Sequence, residues 1–300
     1  MAALNTKLGY GFKLLARRGT VAAALGFAAS AFAAPVVAQS ETALLASPAE
    51  RATYADLTDL AERSEFVIRA EIRRQTVVEP ERAPGLPPGF ARLYIEARTQ
   101  ALLAGPSALG ESLVYLVDVP VNARGKPDKF KDRVVVLFAD SVSGRPGSLQ
   151  LTGKQAQLDY SPALEARLRS VLSALVASDA PPVVTGVRDA LAVQGTLTGE
   201  SETQIFLATN NSSPVSITVL RRPGQRPVWG VSWGEIIDSA ARPPQPETLR
   251  WYRLACALPE RLPSSANLAR DPDARRLAEA DYAFVIHQMG PCAREITEAG

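Results

Sequence analysis

Five residues in the last third of the chain have the spacing of a nucleophilic serine motif, Gly230-Val231-Ser232-Trp233-Gly234. In the Gly-x-Ser-x-Gly elbow of hydrolases, the glycines permit a tight turn from a strand into a helix, which exposes the serine hydroxyl to a histidine base. A strand-like run precedes the motif, and Glu235 to Ala240 could begin a helix. An acidic residue (Asp271, Asp273 or Asp281) and then His287 follow in the order that such hydrolases use. The pattern predicts Ser232 as nucleophile and His287 as base.

The surroundings of this motif favour a structural interpretation. An α/β-hydrolase requires parallel strands that alternate with helices on both sides of the elbow, whereas the runs before this motif resemble antiparallel strands. His287 is the only histidine and lies in the last turn of a predicted helix, where capping and packing roles are more common than catalysis. We therefore expect a packed strand with Trp229, Val231 and Trp233 on one face, and keep the serine hydrolase as the alternative.

A basic turn lies beside the motif in the sequence. Arg221, Arg222 and Arg226 flank a Pro-Gly turn, and Trp229 and Trp233 follow. Guanidinium groups bind carboxylates and phosphates through paired hydrogen bonds, and tryptophan supplies a stacking wall. These five residues are therefore the candidate site for an anionic ligand, such as a carboxylate, a phosphate or an anionic polysaccharide. The alternative is a solvated hairpin tip.

The sequence lacks the residue patterns of nucleotide-binding and metal-binding sites. The sequence contains no phosphate-binding loop, no Gly-x-Gly-x-x-Gly and no Asp-x-Asp-x-Asp-Gly calcium loop. One histidine and two cysteines are too few for a metal centre built from soft ligands, so we expect no metal and no cofactor. Sequence alone does not place two carboxylates at the separation that glycosidic cleavage requires.

The N-terminus has the pattern of a signal peptide. Four basic residues, Lys7, Lys13, Arg17 and Arg18, precede an uncharged run over 19–34, and Val36-Val37-Ala38 supplies small residues for cleavage after Ala38. A cut after Ala33 and a retained membrane anchor are the alternatives. The arginine pair lacks the rest of a twin-arginine pattern, which favours Sec export to the periplasm or outside the cell.

Charge and cysteine content describe the mature chain. Without residues 1–38 it has 29 Lys and Arg against 31 Asp and Glu, which gives no reason to expect nucleic acid or an anionic membrane as a partner. No later stretch reaches the length of a membrane span, so we expect none after signal cleavage. Because exported proteins meet oxidising conditions, Cys256 and Cys292 are predicted to form one disulfide.

Periodicity predicts an α+β protein of two modules. After the signal peptide (1–38) and a linker (39–52), residues 53–160 contain a short helix from Thr53 and then strand-like runs near residues 66–73, 93–101, 112–119, 133–139 and 148–152. This order predicts an N-terminal, mostly antiparallel β module. A small barrel, with the OB fold as one candidate and the helix at one end, is weighed against a curled antiparallel sheet.

Residues 161–300 form the second predicted module. Ser161-Pro162 begins a helix, strand-like runs follow near 183–193, 202–208, 215–221 and 228–233, and two helices over about 247–258 and 271–289 close the chain. The disulfide would join these last two helices. A second antiparallel sheet packed with about three helices is expected.

The sequence as a whole predicts an exported protein that binds a ligand or assists assembly at the cell envelope without catalysis. An envelope protein and an anionic ligand are the candidate partners. The ligand itself, the oligomeric state and a core shared by the two modules are left open.

Overall fold

A computed structural model describes residues 47–234 and 241–298. The predicted signal peptide, residues 39–46 of the predicted linker and the helix expected from Glu235 to Ala240 lie outside the described residues.

The first sheet closes into a small barrel. Its strands are β1 (Phe66–Val77), β2 (Phe90–Ala104), β3 (Ser112–Pro120), β4 (Val134–Ser141) and β5 (Ser148–Leu151). They follow the order β1-β2-β3-β5-β4, and β4 pairs with β1 to complete the ring; β3 and β5 are the one parallel pair in it. A short strand, β6 (Gln157–Asp159), adds to β4. The prediction of a small barrel within an α+β fold is confirmed.

Three helices pack against the barrel. They are α1 (Pro48–Arg51), α2 (Tyr54–Arg63) and α3 (Pro162–Leu175). Thr53 caps α2 with the predicted capping box, and Ser161 caps α3 ahead of Pro162. Leucines from both helices belong to the same buried cluster as the barrel interior. Helix α1 lies inside the segment that the sequence suggested as a linker.

The second sheet consists of four antiparallel strands in the order β10-β9-β8-β7. Their bounds are β7 (Val184–Gln194), β8 (Ser201–Thr209), β9 (Val215–Arg221) and β10 (Val228–Ser232). Two helices follow, α4 (Leu249–Ala255) and α5 (Pro272–Met289). Apolar residues of α5 share a buried cluster with one face of the sheet, which we call the inner face; its members include Ile205, Ile217, Val219, Trp229 and Val231. The opposite side is the outer face.

The two sheets belong to one compact unit. Ala55 of α2 packs in one cluster with Trp251 and Tyr252 of α4. Tyr252 donates a hydrogen bond to Asp59 at 2.6 Å, and Arg253 pairs with Glu62. These contacts cross the predicted boundary near residue 160.

The C-terminal segment is attached by a disulfide and by a buried carboxylate. Cys256 and Cys292 form the predicted disulfide, which joins the end of α4 to the segment after α5. Asp56 accepts hydrogen bonds from the backbone N–H groups of residues 295, 296 and 297 at 2.8–3.2 Å. Burial raises the pKa of Asp56, but the hydrogen bonds from Glu295, Thr297 and Thr53 outweigh burial and hold this pKa below its ordinary value.

Among the described residues, no helix combines the length and the apolar character that a bilayer crossing requires.

Candidate functional site

The serine motif occupies a regular strand. Ser232 is the last residue of β10, is buried, and pairs with Ser216 of β9. Ser232 does not have a positive φ angle; among the described non-glycine residues, three do. Packing accounts for Gly230 without any catalytic role, because a methyl group there would overlap the backbone of Ala241. Close packing of the backbone explains this glycine.

The structure places Ser232 and His287 on different sides of the second sheet. Val231 belongs to the inner-face cluster that contains α5. Side chains alternate along a strand, so Ser232 faces the outer side. His287 is exposed on α5. The hydrolase alternative stays a prediction, which loss of ester hydrolysis in a folded Ser232→Ala variant would support.

The five residues of the predicted anion site are divided by the fold. Arg221 ends β9, and Arg222 and Arg226 lie in the exposed turn that follows it. Trp229 packs in the inner-face cluster, and Trp233 is half-buried beside it. Arg221 and Arg222 line one cleft, whereas Trp229 lines another cleft with Trp251 and the proline-rich segment over 241–246. The structure therefore brings together the first two arginines and separates them from the tryptophans.

Arg221 is held by a buried carboxylate. Its Nε donates to Oδ1 of Asp281 at 2.6 Å, and Thr203 donates to Oδ2 of the same carboxylate at 2.5 Å. Asp281 is fully buried, whereas the Arg221 side chain is 32% exposed. Its terminal nitrogens make no hydrogen bond within the part of the chain that the structure describes. Arg221 is thus fixed through Nε and keeps two nitrogens for a ligand.

Two clefts meet beside Arg221, at the end of the second sheet. The outer cleft has a volume of about 540 Å³ and includes Leu191, Val193, Glu202, Leu220 and Arg222 in its lining. The inner cleft, about 490 Å³, is lined by the β7–β8 turn over 195–200 and by Leu277 of α5. Gln194, Gly195, Glu200, Ser201 and Arg221 line both clefts. Both volumes lie in the range of small-ligand sites.

One buried hydroxyl in this shared lining lacks a partner. Ser201 is 7% exposed, and its Oγ makes no hydrogen bond with any residue that the structure describes. Ser201 lies opposite Arg221 in the sheet register. Its neighbour on the same strand face, Thr203, is bonded to Asp281. A buried hydroxyl without a partner carries a desolvation cost of about 1–3 kcal/mol, so Ser201 marks a position where a ligand atom would be stabilised.

The shared lining also provides polar groups around Arg221. Thr196 and Thr198 in the β7–β8 turn line the inner cleft together with the amide of Gln194. Hydroxyl and amide groups donate hydrogen bonds to anionic oxygens. The arrangement offers hydrogen-bond donors to a carboxylate or a phosphate, among them the terminal N–H groups of Arg221, whose charge is paired with Asp281.

Sequence reasoning missed Ser201 and Thr203, and it named Asp281 only as a possible acid of the serine motif, not as the partner of Arg221. The burial of Asp281 could have been predicted from the sequence, because it falls on the buried face of a predicted helix, between Ala278 and Val285. A carboxylate in an apolar helical stripe requires a cationic or hydrogen-bonding partner. Ser201 carried no such signal, since nothing in the sequence shows what lies opposite its hydroxyl.

Among the residues that the structure describes, no group of three or more His, Cys, Asp and Glu side chains could hold a metal ion. Neither a protein-family model nor a curated protein matches the chain. Function is therefore argued from the geometry of the site.

Proposed function

We propose that this chain is an exported, non-enzymatic binding protein of the cell envelope whose ligand presents an anionic group to Arg221. The observation that carries the proposal is the guanidinium group of Arg221, anchored through Nε on buried Asp281 and facing a cleft with unbonded terminal nitrogens in the described structure. Because the anchor fixes the side chain in advance, little conformational entropy is lost when an anion binds.

The surroundings of Arg221 support binding of an anion. The neighbouring Ser201 hydroxyl has no hydrogen-bond partner among the described residues and can donate a hydrogen bond to an anion. An arginine that neutralised Asp281 and nothing else would not require an open cleft or an unpaired hydroxyl beside it. Export is supported by the basic, uncharged and small-residue segments of residues 1–38 and by the Cys256–Cys292 disulfide, a bond typical of oxidising compartments.

Calorimetry with inorganic phosphate and with acetate tests the anion site, using the mature chain from Gln39. Arg221→Lys keeps a positive charge near Asp281 but loses the forked donor geometry, so we expect at least tenfold weaker anion binding. Arg226→Lys is the matched control, since Arg226 lies in the exposed turn and lines neither cleft. Circular dichroism confirms that both variants are folded.

The proposal is overturned if neither anion binds the wild-type chain, or if the two variants weaken binding equally. Fractionation of cells that express the full chain tests export separately. We expect a periplasmic or secreted product that begins at Gln39, and a product retained in the cytoplasm when residues 2–38 are deleted.

A further inference from the structure

The loop between β3 and β4 concentrates the lysines of the mature chain. This β3–β4 loop covers residues 121–133 and contains Lys126, Lys129 and Lys131, whereas the rest of the mature chain contains only Lys154. Two arginines and two aspartates complete its charged residues, so the loop has a net charge of +3. The mature chain as a whole has a net charge of about −2, which leaves about −5 for all of its other residues. The total charge of the mature chain therefore conceals one positive loop.

The three lysines of the loop are not paired within the protein. Every ion pair formed among the described residues has arginine as its cation. Lys126, Lys129 and Lys131 are exposed, and their side chains make no hydrogen bond or ion pair with any described residue. Because these charges neutralise nothing inside the described structure, they are free to attract an external anionic partner.

The tip of the β3–β4 loop is a well-defined turn. The side-chain oxygen of Asn122 accepts hydrogen bonds from the backbone N–H groups of Arg124 and Lys126 at 2.9 and 3.2 Å. The Asn122 N–H donates to the Lys126 carbonyl at 2.9 Å, and Gly125 adopts the positive φ that the turn requires. The backbone of the tip is therefore ordered before any partner binds, which lowers the conformational entropy lost on binding.

The second half of the loop is fixed on strand β1. The Gln75 side chain donates a hydrogen bond to the Asp128 carbonyl at 2.9 Å and accepts one from the Phe130 N–H. The Asp132 N–H donates to the Ile72 carbonyl at 2.7 Å. The two lysines that alternate with these contacts are exposed. The barrel therefore presents the lysines on a fixed backbone.

The surroundings of the loop favour a broad anionic surface over a small anion. The loop residues line neither the outer cleft, nor the inner cleft, nor the cleft beside Trp229, so none of these clefts encloses a ligand next to the lysines. Phe90 is 42% exposed and lies at the base of the loop, where the Val121 N–H donates to the Gly89 carbonyl at 2.9 Å. Segments that lie on membrane surfaces combine basic residues with Phe, Trp or Leu. The exposed phenyl ring therefore favours a lipid surface over a polar glycan.

Negative charge elsewhere in the protein does not prevent this contact. The β1–β2 loop, at the same end of the barrel, carries Glu79, Glu81 and Arg82, so the two loops together keep a net charge of +2. At physiological ionic strength, exposed charges more than about 8 Å apart are largely screened from each other. An anionic surface that touches the β3–β4 loop is therefore attracted by the lysines more strongly than it is repelled by distant carboxylates.

We infer that the β3–β4 loop binds the protein reversibly to the anionic headgroups of a lipid bilayer. Lys126, Lys129 and Lys131 supply the attraction, and Phe90 enters the headgroup layer. Each basic residue near an anionic bilayer strengthens binding about fivefold, so the three lysines together contribute on the order of 100-fold. This inference is independent of the anion site, because Arg221 lies on the second sheet.

Co-sedimentation of the mature chain from Gln39 with phosphatidylglycerol vesicles tests the inference, and phosphatidylcholine vesicles are the neutral reference. We expect binding to the anionic vesicles only, with release at about 0.5 M NaCl because salt screens the attraction. The Lys126→Gln/Lys129→Gln/Lys131→Gln variant should bind on the order of 100-fold more weakly, and Lys129→Gln alone about fivefold. Circular dichroism confirms that the variants are folded.

The matched control removes three positive charges elsewhere. Arg226→Gln/Arg261→Gln/Arg270→Gln changes the net charge equally, and these exposed arginines form no ion pair with any described residue. We expect this variant to bind phosphatidylglycerol vesicles as the wild type does, because its charges lie outside the β3–β4 loop.

Four outcomes overturn the inference. They are no binding of the wild type to phosphatidylglycerol vesicles, equal binding to both kinds of vesicle, unchanged binding by the triple lysine variant, and equal loss of binding in the two triple variants. Dextran sulfate distinguishes a soluble polyanion from a bilayer: tighter binding to it than to vesicles, at the same concentration of anionic groups, also overturns the bilayer as partner. None of these outcomes bears on Arg221, whose site is tested separately with phosphate and acetate.

Discussion

Ser201 provides the sharpest test of the cleft, because its hydroxyl is buried and has no hydrogen-bond partner within residues 47–234 and 241–298. Ser201→Ala removes this group and should not destabilise the protein in the absence of ligand. Relief of the unpaired hydroxyl recovers about 1–3 kcal/mol, and loss of one buried oxygen atom costs less than the roughly 1 kcal/mol of a buried methylene. The net expectation is a gain of about 0–2 kcal/mol in the free energy of unfolding.

Thr203→Val is the matched control on the same face of the same strand. The Thr203 hydroxyl donates to Asp281 at 2.5 Å, and hydrogen bonds to charged groups contribute about 1.5–3 kcal/mol. The free energies of unfolding of the two variants should therefore differ by about 1.5–5 kcal/mol, with opposite signs or with no change for Ser201→Ala.

Urea unfolding of the oxidised mature chain measures the change in stability of both variants. The comparison requires that the free energy of unfolding falls with urea concentration at the same slope in the wild type and in the two variants. Thermal unfolding gives a second measurement, because a change of about 1 kcal/mol in stability shifts the Tm of a chain of this size by about 2–4 °C. A loss of stability in Ser201→Ala as large as that in Thr203→Val would show that the Ser201 hydroxyl has a partner, and would refute the reasoning. Titration with inorganic phosphate or acetate should in turn show weaker binding by Ser201→Ala than by wild type.

Three further outcomes are expected from the described structure. Replacing Cys256 and Cys292 together by Ala should lower the free energy of unfolding by about 4 kcal/mol in the chain-entropy model, since these residues are 36 apart; an unchanged urea midpoint would contradict this. The lowered pKa of Asp56 contributes stability above its unfolded pKa of about 4, and this contribution disappears as the pH falls through the folded value. The protection factors of the backbone amides at residues 295–297, which compare the observed exchange rate with the intrinsic rate at the same pH, should therefore fall on acidification, and an Asp56→Asn variant should lose much of that dependence. Gly230→Ala should lower the free energy of unfolding by about 1–3 kcal/mol or more, because its methyl group would overlap the Ala241 backbone. An unchanged free energy of unfolding would show that the backbone at Ala241 can move to make room for the methyl group.

Most of the strands and helices could be predicted from the sequence. Alternation of apolar and polar residues located the strands of both sheets, and a Ser-Pro pair located the start of α3. These features are local, because a strand shows its buried face with a period of two and a helix start shows its cap within a few residues. The one-turn helix α1 and the short strand β6 were missed, since four and three residues are too few to show a period.

The candidate site was only partly readable. The sequence indicated arginines near residue 221 as an anion site, and Arg221 lines both clefts. It also grouped Trp229 with them, although strand alternation turns Trp229 into the core with α5. The sequence treated Arg221 as one of several equivalent arginines, because its distinguishing partner, Asp281, lies 60 residues later.

The sequence by itself determined the order of the longer strands and helices, the disulfide between its two cysteines and the position of a basic turn. Each depends on residue type and on spacing over a few positions. Only the tertiary structure decided that the first sheet closes into a barrel and that Asp281 anchors Arg221. It also decided that Ser201 is buried without a partner among the described residues, and that the Ala241 backbone leaves no room for a side chain at position 230. The physical reason is that the energy of a buried polar group or a close backbone contact depends on the atoms opposite it, which distant parts of the chain supply.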